Sequence, residues 1–411
     1  VCRTSSSRRR RLRRRWSRRP RSNPATRCAD RRAHSPRARP AAARSPQEES
    51  THMSARPYKI EAQPLAQRYA RGWHCLGLAR DFKDGKPHTL NAFGRKLAAF
   101  ADSTGKVNIV DAYCPHMGAD LSLGTVQGDH LVCPFHGWAW SGEGQCASIP
   151  YCKRIPPKAR IGAWPTCEEN NLLFVWNDPE GNAPPPEVAI PRLDVCFSDE
   201  WSDWVVDKMV IQANCRELVD NISDVAHFAT VHRAPIDYFA NLFEDHKATQ
   251  LMVGRSEKLG GDALTALSTY FGPAVHITQM TGQSGGQPIH SVLLNCHVPI
   301  DMNSFELRYG VIVKKVPGLT DAQNMEIANA YVKEAQRAFY EDVDIWHSKT
   351  RIDNPLLCEG DGPLYQMRDW YSQFYLDVAD VRPTSVARKA FEMRIREGDA
   401  PPALHHVFEP Q

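Results

Sequence analysis

The sequence predicts an α+β protein, a small all-β unit followed by an antiparallel sheet with helices packed on it. Three observations predict it. Between Trp73 and Asp178, short apolar or alternating runs are separated by glycine turns. A proline-rich stretch interrupts the chain near residue 185. Beyond it, further strand-like runs lead into one long Ala-, Glu- and Lys-rich helical segment.

In the first unit the strand runs are Leu97–Ala101, Val107–Asp111, His130–Cys133 and Leu172–Trp176. Gly85, Gly94, Gly105, Gly128 and Ser141-Gly-Glu-Gly144 punctuate them. Asn177-Asp-Pro-Glu-Gly-Asn182, Pro184–Pro186 and Pro191 then make a stiff connection. We therefore divide the chain into a tail (1–52), a first domain (53–182), a linker (183–192) and a second domain (193–411). In the last of these, Leu218, Ile222, Val225 and Phe228 keep a helical period within Cys215–Val231. Strands are expected at Leu264–Phe271, His290–Val298 and Phe305–Val313. A long helix is expected from Thr320 to Lys349, with Thr320-Asp321 as its cap.

Charge is unevenly spread. Residues 1–52 hold seventeen arginines against three acids, a balance of +14, although the whole chain carries only +4; residues 53–411 are therefore acidic at −10. A nucleic-acid reading would rest on the tail alone, which offers Trp16 as its sole aromatic, so no nucleic-acid partner is expected. The tail is Arg- and Ser-rich like a transit peptide, but Leu12 and Trp16 make a poor amphipathic face. Its twin arginines lack the apolar run of an export signal. We expect it to be an over-extended reading frame, with Met53 an ordinary start. No stretch approaches the ~20 apolar residues of a membrane span. The twelve cysteines show no disulfide framework, which suits a reducing, cytoplasmic setting.

Two cysteines have another use. Cys114-Pro-His116-Met-Gly118 is followed by Cys133-Pro-Phe-His136-Gly-Trp138, with sixteen residues between His116 and Cys133. Two loops that each carry one thiolate and one imidazole suit a Rieske [2Fe–2S] cluster, in which two Cys hold one iron and two His the other. Tetrahedral zinc also accepts two Cys and two His, but zinc modules commonly group like with like. Respiratory-type Rieske loops carry an extra cysteine pair; here Ala119 and Phe135 stand at those positions.

A second constellation is Asp220-Asn-Ile-Ser-Asp224-Val-Ala-His227-Phe-Ala-Thr-Val-His232. A helix would place Asp224 and His227 on one face. His232 reaches the same point only if the helix ends or bends, and Arg233-Ala-Pro235 supplies a stop. Two histidines and a carboxylate with open positions form the facial triad for O₂-activating Fe(II). The carboxylate is sought on the long helix. There Asp342 lies at spacings that match an inward stripe with Ala335, Ala338, Phe339 and Ile345, while Glu341 and Asp344 compete for the role.

In this order, these motifs resemble the Rieske non-haem iron oxygenase alpha subunits over roughly residues 65–385. The greatest likeness is to the 3-ketosteroid 9α-hydroxylase group, through Arg71–Gly77, Tyr270–Pro273, Asn295–His297 and Arg351–Leu357. The resemblance implies a Rieske domain followed by a helix-grip-like catalytic domain, with Cys114, His116, Cys133 and His136 as cluster ligands. It implies His227, His232 and Asp342 as ligands of a mononuclear non-haem Fe(II). It makes Asp224 a bridge from His227 to His136 of the neighbouring subunit in a homotrimer. It further implies O₂, a steroid-like apolar substrate hydroxylated at ring carbon 9, and electrons from NADH through a flavin and iron–sulfur reductase. Pocket candidates are Val225, Tyr238, Phe239, Tyr270, Phe271, Met280 and Trp346, each equally readable as plain core. The rival readings are an oxygenase acting on another sterol or aromatic ring, and a Rieske electron-transfer protein.

Overall fold

The computed structural model describes residues 58–61, 68–255, 262–284 and 287–395. The arginine-rich tail and its expected start at Met53 lie outside them.

Three small antiparallel sheets come first. In one, β11 (Leu172–Asn177) lies between β1 (Gly72–Leu78) and β10 (Thr166–Glu169). The second has the order β2 (His88–Ala92), β3 (Arg95–Ala101), β4 (Val107–Asp111), β9 (Ala163–Trp164). The third runs β5 (Thr125–Gln127), β6 (His130–Val132), β7 (Ala139–Trp140), β8 (Cys146–Ser148). The four runs expected from the sequence fall on β3, β4, β6 and β11. β11 is buried along its whole length, so its unbroken apolar run reads as a strand covered on both faces.

The second half is one eight-stranded antiparallel sheet. From β13 (Ile236–Glu244) it meanders through β14 (Lys247–Arg255), β15 (Ala263–Phe271), β16 (Val275–Ser284), β17 (Gln287–Asp301) and β18 (Ser304–Val313). The edges are β12 (Val205–Ile211), beside β18, and β19 (Lys389–Arg394), beside β13. Alternation along β17 and β18 assigns the two faces. Leu293, Leu307, Tyr309 and Val311 pack with Ala328, Val332, Val343 and Trp346 of the long helix α3, whose range follows. Val292, Leu294, Cys296 and Ile312 point the other way, onto Trp73, Cys75, Phe174 and Trp176 of the first sheet. The large sheet is thus filled on both sides.

Among the described residues four helices are short: α1 (Arg216–Asp220), α2 (Ala226–Thr230), α4 (Leu364–Ser372) and α5 (Pro383–Val386). The long one, α3 (Asp321–Ser348), starts with a capping box: Thr320 Oγ1 accepts from the Gln323 N–H, and the Gln323 side chain accepts from the Thr320 N–H. None of the described helices is long and apolar enough to cross a membrane.

Two expectations need correction. The helix anticipated over Cys215–Val231 is broken into α1, a 3₁₀ turn at Asn221–Ser223, an extended Asp224 (φ −94°, ψ 104°) and α2. The inward stripe of α3 runs through Ala328, Val332, Asp342, Val343 and Trp346, whereas Ile345 is exposed.

Candidate metal centres

The first centre is built on two loops with the same closure. Cys114 follows β4 and Cys133 follows β6. The N–H of Gly118 donates to the Cys114 carbonyl at 2.8 Å, and that of Gly137 to the Cys133 carbonyl at 3.1 Å. Both glycines are left-handed, at φ 75° and 70°, a conformation that favours residues without Cβ. The two loops bring His116 and His136 together, with ring centres 4.7 Å apart and planes at 72°. Trp138 stacks on His116 at 4.7 Å and donates its indole N–H to the Tyr151 hydroxyl at 2.7 Å.

Cys114 and Cys133 are buried, free thiols. Burial, reinforced by the neighbouring Cys133 sulfur, pushes the Cys114 thiol up to about 11. His116 Nδ1 and His136 Nδ1 are buried and have no hydrogen-bond partner among the described residues. Two paired thiols and two unpartnered Nδ1 atoms fit a [2Fe–2S] group that takes two sulfurs and two nitrogens. They fit one zinc ion poorly. Ligands of a single tetrahedral zinc lie roughly 3–4 Å from one another, and among the described residues the one group of three or more donors gathered within 4.8 Å is elsewhere.

That group is His227, His232 and Asp342. Its geometry depends on the broken helix. Asn241 of β13 and Gln250 of β14 both donate side-chain N–H groups to the Ile222 carbonyl, at 3.0 and 2.8 Å, so the carbonyl freed by the break is satisfied. From the other side Gly362 presses against the turn: a Cβ there would lie 1.8 Å from the Ser223 oxygen. We therefore expect Gly362→Ala to displace the Ser223–Asp224 turn, so that purified protein keeps its cluster spectrum but loses mononuclear iron. Unchanged iron content would show that the turn tolerates the shift.

Past the break, His227 Nδ1 lies 2.7 Å from the main-chain carbonyl of Asp224 and 3.6 Å from its carboxylate. The carbonyl accepts only, so Nδ1 carries the proton and the Nε2 lone pair is free. The Asp224 carboxylate accepts the His227 N–H at 3.3 Å, and despite burial this pairing with His227 holds it below the usual carboxylate range. After α2 the chain turns sharply. Arg233 adopts φ 53° and the Ala234 N–H donates to the Phe228 carbonyl at 2.9 Å, closing the chain back over the end of α2. This bend brings His232 back to within 5.2 Å of His227, ring centre to ring centre.

Helix α3 supplies the acids. His232 Nε2 lies 3.2 Å from Asp342 Oδ2, and its Nδ1 lies 3.1 Å from Glu341 Oε2. Burial alone would lower the His232 pKa; Asp342 and then Glu341 outweigh it and raise it. Asp342 is buried and Asp344 exposed, which separates two of the three acids left open by the sequence. The two ligand-bearing segments are clamped by ion pairs. Glu217 of α1 meets Lys349 at 2.5 Å and Arg351 at 3.1 Å, just past the end of α3, while Asp220 meets Arg368 of α4 at 2.6 Å. Buried charges of this kind are tolerable because each has a partner.

The pocket candidates divide. Val225 and Phe239 pack with Phe228 beside His227, and Trp346 lies one turn beyond Asp342. Tyr238 faces away into a separate cluster with Leu251, and Phe271 packs against the first sheet. Neighbours on a strand point to opposite faces, so Tyr238 and Phe239, or Tyr270 and Phe271, cannot line one cavity together. Tyr270 packs instead with Trp370 and Tyr371 of α4, and Met280 receives the Tyr331 hydroxyl at 2.9 Å. Asn241, Gln250 and Gly362 acquire their parts only through sheet register and chain crossing, and no local pattern announces them.

Both halves of the chain resemble known proteins. Residues 72–160 match the Rieske [2Fe-2S] domain, and residues 175–375 match the 3-ketosteroid 9alpha-hydroxylase C-terminal domain. A 3-ketosteroid-9-alpha-monooxygenase, oxygenase component, of Rhodococcus rhodochrous is 49% identical over 345 residues, covering 82% of this chain and 88% of that protein. Its counterpart in Mycolicibacterium smegmatis is 50% identical over 346 residues, covering 82% and 90%. Among solved structures, dicamba monooxygenase with non-heme iron and dicamba shares the fold, with a TM-score of 0.55 and 20% identity over 75% of this chain and 98% of that one. The chain belongs to the Rieske oxygenases, in the family of the 3-ketosteroid-9-alpha-monooxygenase oxygenase components.

Proposed function

We propose that this chain is the terminal oxygenase that hydroxylates a 3-ketosteroid at ring carbon 9, with O₂ as oxidant and electrons from NADH passed on by a separate flavin and iron–sulfur reductase. The observation that carries the reading is the coexistence, in one chain of this family, of a Cys₂His₂ loop pair and a His₂–Asp triad. On this reading Cys114, His116, Cys133 and His136 hold the [2Fe–2S] group within residues 53–182, and His227, His232 and Asp342 hold iron within 193–411. When bound, these groups store one electron and activate dioxygen, respectively.

The remaining work falls to the protein. The Asp224 carbonyl and the Arg233 bend aim the two imidazoles at one point. Val225, Phe228 and Phe239 pack together beside His227, an apolar surrounding that limits water near the reacting carbon. Around the cluster loops, Tyr113, Met117, Phe135 and Tyr151 are all more than half exposed. Such a patch supports docking of a partner onto the cluster face. We propose that it meets a neighbouring copy in a C₃ ring, so that the half-exposed Asp224 carboxylate of one copy bridges to His136 of the next.

Incubation of the purified oxygenase with a reductase, NADH and androstenedione tests the substrate reading; the expected product is the 9α-hydroxysteroid. Turnover of a different sterol or aromatic ring, with none of androstenedione, would move the assignment to another branch of the family.

A further inference from the structure

We infer that Glu341 is a positioning residue for the iron centre, fixing the tautomer and the orientation of His232. The inference rests on the reading that the triad holds iron.

His232 is gripped on both ring nitrogens by consecutive residues of α3. Glu341 Oε2 lies 3.1 Å from Nδ1 and Asp342 Oδ2 lies 3.2 Å from Nε2. Consecutive helical positions diverge by about 100° around the axis, so the two acids cannot share a face. Asp342, with a side chain 9% exposed, points inward; Glu341, at 36%, lies on the flank and reaches His232 through its extra methylene.

The consequence is chemical. A neutral imidazole has one N–H and one lone pair, and an ionised carboxylate can only accept. Glu341 therefore requires the His232 proton at Nδ1. When a metal ion takes the place of the proton between His232 and Asp342, the lone pair is then left at Nε2, the nitrogen that faces Asp342 and the converging His227. Without Glu341 the ring could hold its proton at either nitrogen and rotate about its side-chain bonds, and part of its population would present N–H to the metal. The two histidines are thus anchored by different devices. His227 relies on a main-chain carbonyl, which no substitution removes, while His232 relies on one side chain. Carboxylates that anchor metal-binding histidines in this way typically change metal affinity by about ten- to hundredfold when removed.

The test is a titration of Fe(II) into chelator-treated protein that retains its [2Fe–2S] chromophore, comparing the parent with Glu341→Ala, Glu341→Asp and Glu341→Gln. The Ala variant, at a half-exposed helical position, should keep the parent's thermal midpoint without mononuclear iron and lose about ten- to hundredfold in Fe(II) affinity. The Asp variant keeps the charge but is one methylene short, so it should lose affinity as well. The Gln variant retains both reach and an acceptor oxygen and should recover most of it. Electron paramagnetic resonance of the nitric-oxide adduct of the Fe(II) site gives a second readout, and should show an altered, more heterogeneous signal for Ala and Asp only. Parent-like affinity and signal in the Ala variant would overturn the role of Glu341 while leaving the iron site standing. Failure of the parent itself to bind Fe(II) beyond its cluster would overturn both.

Discussion

Asp342→Ala is expected to lower the iron content from about three to about two per chain and to abolish hydroxylation, while the visible spectrum of the cluster stays as in the parent. Asp342 is the anionic member of the group of three and lies buried on the inward stripe of α3, within 3.2 Å of His232 Nε2. Two neutral imidazoles alone would hold Fe(II) weakly, because they leave its charge uncompensated and fill only two positions of the facial triad. A metal centre contributes several kcal/mol to the reaction, so its loss should cost roughly a thousandfold or more. The fold should survive, since an apolar helix former replaces a buried acid beside Val343 and Trp346. Asp342→Asn refines the test by keeping the volume and one oxygen while removing the charge, and should retain less iron than the parent and more than the Ala variant. Iron that stays at three in the Ala variant would remove Asp342 from the centre. It would favour a Rieske protein that only transfers electrons if turnover were also absent in the parent.

The parts of this arrangement that were legible in the sequence are those whose information is local. Alternation of Cys and His over four residues, a glycine four past each cysteine, and a capped Ala-rich helix are all written in neighbouring positions. The structure places the glycines at the closure of the two loops and the capped helix at α3. The break at Asp224 is not local. Leu218, Ile222 and Val225 keep a helical period, yet Asn241 and Gln250 on two strands capture the Ile222 carbonyl, and Gly362 lets a distant loop press on Ser223. Tertiary hydrogen bonds decide the outcome against local propensity. Glu341 was visible only as a competitor for the metal, because reach from the flank of a helix cannot be read from spacing. The pairs Tyr238–Phe239 and Tyr270–Phe271 could have been separated in advance, since the period of two along a strand already forbids both members from one cavity.

Asp224→Ala carries the second large expectation: turnover falls by about a hundredfold or more while iron content stays near the parent level. The two effects separate because the residue works through two different atoms. Its main-chain carbonyl, 2.7 Å from His227 Nδ1, aims the imidazole and survives any substitution. Its carboxylate stands 3.6 Å from that nitrogen and is 45% exposed, free to accept from a group outside the chain. In the proposed ring that group is His136 of the neighbouring copy, so removing the carboxylate cuts the connection between electron store and reaction centre without dismantling either. Loss of the hydrogen bond to the His227 N–H costs about 1 kcal/mol, as for other capping acids. Asp224→Asn keeps that contact and most of the shape and still loses the charge, so it should transfer electrons slowly despite a well-formed site. Single-turnover measurement is decisive: with substrate and O₂ supplied to the reduced protein, the cluster absorbance of the variant should reoxidise at least tenfold more slowly than in the parent. If iron and turnover decline in parallel, the carboxylate holds His227 rather than the bridge. If reoxidation is as fast as in the parent, electrons do not pass through Asp224.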